Sequence, residues 1–247
     1  MAVAKRASSK RRATCIVIAG LRMLACAAAL AWCAAAAAQE RRLEPVDEGA
    51  KDASWVAFKN RLLAALQKQD RKFLLSITDR NVRNTTSGER GIAEFRKQWD
   101  LASDTSPIWR ELSSALFLGG AYLRREGEKG RRATQELCAP YVLARWPEDV
   151  EPFGHGAVVA RDTAARKEPS SAAALLQALS YDLINVLDWD VADRDAATPQ
   201  RWVKVRVPAG EGYVPAEHVR SPIELAACFV KGPNGWRMTA FAPAGGE

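Results

Sequence analysis

The apolar residues of this chain change period near residue 155, which calls for a helical part followed by a β part. From Ser54 the spacing is helical: Trp55, Phe58, Leu62 and Leu66 recur at steps of three and four, with Leu63 widening the stripe. Asp70 can cap a second, shorter helix carrying Phe73, Leu74 and Ile77, and Ile92, Phe95 and Trp99 mark a third. Ser106 and Pro107, at the N-cap and first helical positions, open a fourth through Trp109, Leu112 and Leu116, stopped by Gly119-Gly120. Aromatic residues at this spacing read as core packing. Beyond residue 155, residues 157–159 and 175–187 are rich in β-formers, and residues 201–207 (RWVKVRV) alternate strictly. Residues 223–230 and 236–242 flank Gly-Pro-Asn-Gly, a hairpin signal. Short strands joined by turns point to a small barrel. There is no internal repeat.

The leader sets the compartment. Residues 5–12 (KRASSKRR) form a basic region, and residues 23–38 are purely apolar, ending in an alanine run before Gln39. That is the pattern of an export signal with cleavage after Ala38. The uninterrupted run is 16 residues and mostly Ala, short of the ~20 that a spanning helix needs. No membrane span is therefore expected after cleavage, and the protein is placed in the periplasm. Arg11-Arg12 is followed by Ala13, Thr14 and Cys15, not the bulky residues of a twin-arginine signal. Cys26 and Cys33 raise lipidation as a lesser alternative, against Arg22 breaking the stretch before one and Trp32 preceding the other.

Of the formal net charge of +7, six positive charges lie in residues 1–38 with no acid, leaving +1 for residues 39–247. A body so near neutrality gives no support to a nucleic-acid partner. Removing the leader also leaves two cysteines, Cys138 and Cys228. An even pair in an oxidising compartment reads as one disulfide, with two buried free thiols as the alternative. Residues 39–53 are charged and aperiodic, a flexible tether. Residues 122–136 carry charges of both signs and read as a solvated loop. The segment 138–147, fenced by Pro140 and Pro147, reads as an extended connector.

The order of a Trp202-bearing strand, a turn, Gly212-Tyr213-Val214 and Pro215-Ala-Glu-His218-Val219 resembles the second half of a bacterial SH3-like (SH3b) domain. Upstream, Arg166, Pro169 and Ser170 match its opening, with Thr163 and Ala165 in place of two Val. The longer pattern is similar to exported proteobacterial SH3 domain-containing proteins. Its residues are Phe58…Leu62-Leu63, Ala139-Pro-Tyr-Val142…Trp146-Pro147 and Leu179-Ser-Tyr-Asp182…Arg220-Ser-Pro-Ile223…Gly235-Trp-Arg-Met238. The resemblance implies peptide or peptidoglycan binding and no assigned activity. Tyr181, Trp202, Tyr213 and His218 are the candidate ligand-binding residues, His218 standing where a groove tyrosine would be. Core packing is the other role open to the three aromatics.

The barrel should be complete by Val219, yet residues 221–247 continue with Phe229, Trp236, Met238 and Phe241, too apolar to hang free. They are expected to fold back onto residues 54–150, with a Cys138–Cys228 bond stapling the return. The fold class is α+β: a mainly helical domain over 54–150, NTF2-like once completed by that hairpin, and an SH3-like β-barrel over 155–220.

Catalytic signals are weak. His155 and His218 are the only histidines, and no Gly-x-Ser-x-Gly elbow, GxGxxG, P-loop or Cys-x-x-Cys occurs. Cys138, His155, His218 and Cys228 lack the close spacing of zinc ligands. Asp188, Asp190, Asp193 and Asp195 resemble a calcium loop without its Gly and Glu. Glu148, Asp149 and Glu151 are neighbours in one linker, unlike carboxylates set across a sugar cleft. The expectation is a soluble periplasmic, non-enzymatic binding or adaptor protein with no cofactor or metal, its partner an envelope protein or peptidoglycan. A peptidoglycan-binding accessory role, or less favourably a cell-wall hydrolase, is the alternative. The sequence carries no signal for an oligomeric state.

Overall fold

A computed structural model describes residues 41–85, 90–123, 136–195, 197 and 199–244. The leader with Cys26 and Cys33, most of the charged run at 124–135 and part of the polar stretch at 86–89 lie outside the described residues. Among the described residues the fold has five α-helices and two sheets. Helix α1, Ala53–Gln67, starts at Asp52, whose carboxylate accepts from the Ser54 and Trp55 amides. It buries Trp55, Phe58, Leu62, Ala65 and Leu66. Helix α2, Arg71–Ile77, is capped by Asp70 and runs into strand β1, Thr78–Arg83. Helices α3, Ile92–Gln98, and α4, Ile108–Phe117, follow. Pro107 is the N-cap of α4, and Ser106 does not cap it but donates its hydroxyl to the Trp99 carbonyl. Gly119, at φ 78, ends the helix. A Cβ there would lie 2.7 Å from the Val46 carbonyl oxygen.

These helices cover one face of a five-stranded sheet. Its strands are β1, β2 (Ala121–Tyr122), β3 (Glu136–Ala139), β11 (Leu225–Gly232) and β12 (Gly235–Pro243), in the order β1-β12-β11-β3-β2. The C-terminal hairpin thus supplies the two strands that join the rest. β12 runs parallel to β1, and β11 antiparallel to β3. Phe229, Trp236, Met238 and Phe241 pack with the helical stripe in one core. Trp55 sits edge-on to Phe229 and Trp236 at 5.1 and 4.9 Å. A separate small cluster holds Cys138, Cys228 and Ala240 with Leu123 and Leu143. Cys138 and Cys228 face each other in register and form a disulfide.

The second sheet holds β4 (His155–Val158), β5 (Thr163–Arg166), β6 (Leu175–Leu179), β7 (Leu183–Ala192), β8 (Arg201–Val207), β9 (Gly210–Pro215) and β10 (Val219–Arg220), in the order β10-β4-β7-β8-β9-β5-β6. Inward residues of these strands, among them Val158, Ala165, Ile184, Val203, Val205, Val214 and Val219, form its core. Its end strands, β10 and β6, do not pair with each other, so the sheet is open where the sequence suggests a closed barrel.

Two connecting segments differ from expectation. Residues 41–52 are not a free tether. The Leu43 amide donates to the Tyr181 carbonyl and the Leu183 amide to the Arg41 carbonyl, each at 2.8 Å, so the segment lies along the start of β7. Asp47 accepts from Lys59, Glu48 pairs with Arg145, and a one-turn 3₁₀ helix, Glu48–Lys51, leads into α1. The many charges conceal Leu43, which is buried, and Gly49, which lies beneath Trp55. The Pro-fenced stretch is not extended throughout. After β3 it forms the short helix α5, Tyr141–Arg145, with Tyr141 and Val142 buried.

A Cβ on Gly49 would lie 2.2 Å from Trp55 Cδ1 and 2.9 Å from Leu137 Cδ2. Gly49→Ala is therefore expected to destabilise the protein by about 1–3 kcal/mol, read by chemical denaturation. Unchanged stability would mean that the strap does not hold Trp55.

Candidate functional site

A groove of about 440 Å³ runs between α4 and the one-turn helix Ala216–His218 with β10. Helical geometry divides the residues of α4: Ile108, Leu112 and Leu116 turn into the core, while Arg110, Ser113 and Phe117 turn outward. Phe117 is 75% exposed, the most exposed large apolar side chain among the described residues. Trp109 is buried at the groove, and Ser113 donates back to its carbonyl at 2.6 Å.

Arg220 forms the opposite wall. Its guanidinium donates to Ser114 Oγ at 2.7 Å and to Glu224 Oε2 at 3.2 Å, tying α4 to the second sheet. Burial pushes the Glu224 carboxyl above its ordinary range, against the nearby Arg220 charge. Glu217, on the rim, is 72% exposed and its Oε1 lies 3.9 Å from His218 Nε2. Arg110 is paired with Glu111 at 2.7 Å. The groove therefore presents an aromatic wall, a fixed guanidinium and one open carboxylate, groups suited to recognition by contact and hydrogen bonding. A second, larger concavity, about 620 Å³, is lined by Leu123, Leu143, Trp146 and Pro147. Of its ionic residues, Arg145 pairs with Glu48 and Asp149 with Arg41.

Of the four residues singled out from the sequence, only His218 adjoins the groove. It is half-buried, and its Nδ1 has no partner among the described residues. Trp202 is 1% exposed and donates its indole N–H to Asp193 Oδ2 at 2.8 Å, so it offers no face to a ligand. Tyr213 lies on the outer face of β9, opposite Lys204 of β8. Tyr181, at φ 64, carries the Arg161 guanidinium over its ring at 5.5 Å, and Arg161 Nε donates to its hydroxyl. These residues do not converge on one site. The signal for Phe117 was in the sequence: it falls one position past the Trp109-Leu112-Leu116 stripe, on the outer face.

The other candidate clusters are occupied by structural bonds. The disulfide takes both sulfurs of the zinc set. Asp190 pairs with Arg201, and Asp193 accepts from Trp202 and the Asp195 amide. Glu151 accepts from the Phe153 and Gly154 amides, which hold its carboxyl below the usual range. No family model matches this chain, nor does any curated protein or solved structure.

Proposed function

We propose that this is an exported, soluble, non-enzymatic binding or adaptor protein of the cell envelope, built from a helical NTF2-like part and an SH3-like module. The groove between α4 and Arg220 is the observation that carries the binding reading, since its two walls come from the two parts of the molecule. Several features support the module. The antiparallel sheet over residues 155–220 encloses its own core, and the strand–turn–strand–one-turn helix order of the SH3b pattern recurs in β8, β9 and Ala216–His218. Helices on one face of a mixed sheet support the NTF2-like assignment. The disulfide is compatible with an oxidising compartment. No helix of the described residues is long and apolar enough to cross a membrane. Direct peptidoglycan binding is the second reading, favoured by Tyr213, half-exposed on the outer face of β9.

Co-sedimentation with isolated sacculi, with muropeptide release assayed in the same tubes, separates the readings. For an adaptor the protein stays in the supernatant and a cross-linked periplasmic pull-down returns a partner that a Phe117→Ala variant loses. Salt-resistant pelleting without release would favour the wall-binding role. Release of muropeptides would overturn both and make the protein a hydrolase.

A further inference from the structure

Five asparagines occur in the chain, and Asn234 alone is followed by Gly. It lies at the tip of the C-terminal hairpin. Gly232 pairs with Gly235, so Pro233 and Asn234 are the two central residues of the turn. All four are exposed. The side-chain amide of Asn234 makes no hydrogen bond among the described residues. Gly235 sits at φ 101, a conformation that suits Gly, and a Cβ there would meet nothing within 4 Å. The Asn234 amide carbon and the next backbone nitrogen therefore lie in open solvent, with no side chain between them.

The other four asparagines are hindered. Asn60 lies within α1, where helical bonds hold the backbone nitrogens. Asn81, Asn84 and Asn185 precede Val82, Thr85 and Val186, whose branched Cβ atoms crowd the nitrogen that would attack. Asn84 and Asn185 also donate their side-chain amides to the Gly91 and Gly154 carbonyls, at 2.9 and 3.2 Å.

We propose that Asn234 is a site of spontaneous covalent modification, closing to a succinimide with Gly235 and opening to aspartate and iso-aspartate. The Gly235 nitrogen loses its proton to base and bonds to Asn234 Cγ, and the side-chain nitrogen leaves as ammonia. Water then opens the ring. Breaking the bond from Gly235 N to Cγ gives aspartate. Breaking the bond from Gly235 N to the Asn234 carbonyl carbon gives iso-aspartate, with Cβ and Cγ now in the main chain. One water is consumed and one ammonia released, with no oxidant or reductant. The exchange takes residues 39–247 from a net charge of +1 to 0. The turn lies just beyond the Lys231–Trp236 pair, whose side chains reach Asp52 Oδ2 and Ser54 Oγ at 2.9 and 3.0 Å. The new carboxylate therefore stands at the end of the hairpin that meets α1.

The test is incubation of the purified protein in mildly alkaline buffer, folded and in urea, read by peptide mass spectrometry with fragmentation that separates aspartate from iso-aspartate. In the folded protein the Asn234 peptide is expected to gain about 1 Da. It should convert at least about tenfold faster than any other Asn, a barrier lower by about 1.4 kcal/mol. Iso-aspartate should exceed aspartate, and the rate should rise with pH because the attacking nitrogen must first lose its proton. Asn234→Gln, whose ring needs one more atom, should leave position 234 unmodified. An Asn234 that persists in the folded protein while the urea-unfolded chain converts would overturn the proposal, since the turn would then shield it. So would a second asparagine converting as fast, or aspartate as the sole product.

Discussion

Ending the chain at Ser221 is expected to unfold the helical half of the protein while the second sheet keeps its structure. The deletion removes β11 and β12, the two strands that connect β1 to β3. It also takes Phe229, Trp236, Met238 and Phe241 out of the core that covers Trp55 and Phe58. Truncating even one buried Phe or Trp costs about 3–5 kcal/mol. The loss of three aromatics and a Met therefore exceeds the ~5–15 kcal/mol of net stability typical of a folded protein. The core of the second sheet, by contrast, draws on none of the deleted residues. Limited proteolysis read by mass spectrometry checks this. Cuts should concentrate between residues 53 and 117, with residues 155–220 protected. Protection of α1 and α4 in the truncated chain would mean that the helices hold together without the hairpin.

Removing the disulfide is expected to lower stability by about 4 kcal/mol, because the bond closes a loop spanning 90 residues in the unfolded chain. For a protein of this size that corresponds to a fall of roughly 8–16 °C in the unfolding midpoint. The Cys138→Ala/Cys228→Ala double variant should show it by calorimetry, and the wild-type protein under reductant should approach it. Both sulfurs are buried on facing strands, so the sites accept Ala with little change in polarity. A midpoint within a degree or two of wild type would show that the unfolded state is not limited by this loop. Either variant also tests the hairpin, since the bond ties β11 to the strand that follows the helices.

The periodicity of the sequence translated directly into local structure. The Trp55-Phe58-Leu62-Leu66 stripe became the buried face of α1, and the Gly-Pro-Asn-Gly signal became the turn between β11 and β12. Both are set by neighbours a few residues apart, where one side chain or one turn decides the outcome. Residues 41–52 show the opposite case. Their charge count hides the few contacts, at Leu43 and Gly49, that seat the segment against Tyr141 and Trp55. The Tyr141 hydroxyl donates to the Leu43 carbonyl across 98 residues, and burial raises its pKa to about 12. Trp202 has the alternation of a strand residue, which does not reveal whether its ring is covered; its burial and the Asp193 acceptor settle that.

The groove lay furthest from what a linear reading supplies. Phe117 could be recognised as off the helical stripe, but its partners in the opposite wall are a hundred positions away: Ser114 and Arg220 meet across 106 residues. By itself the sequence determined the helical and strand character of the two parts and the apolar hairpin that needs cover. Each follows from composition and spacing within one short segment. The tertiary structure alone decided that the hairpin lies between β1 and β3, that the second sheet stays open, and that Arg220 is held against α4. Those outcomes depend on which distant surfaces exclude water together, and no local pattern encodes that choice.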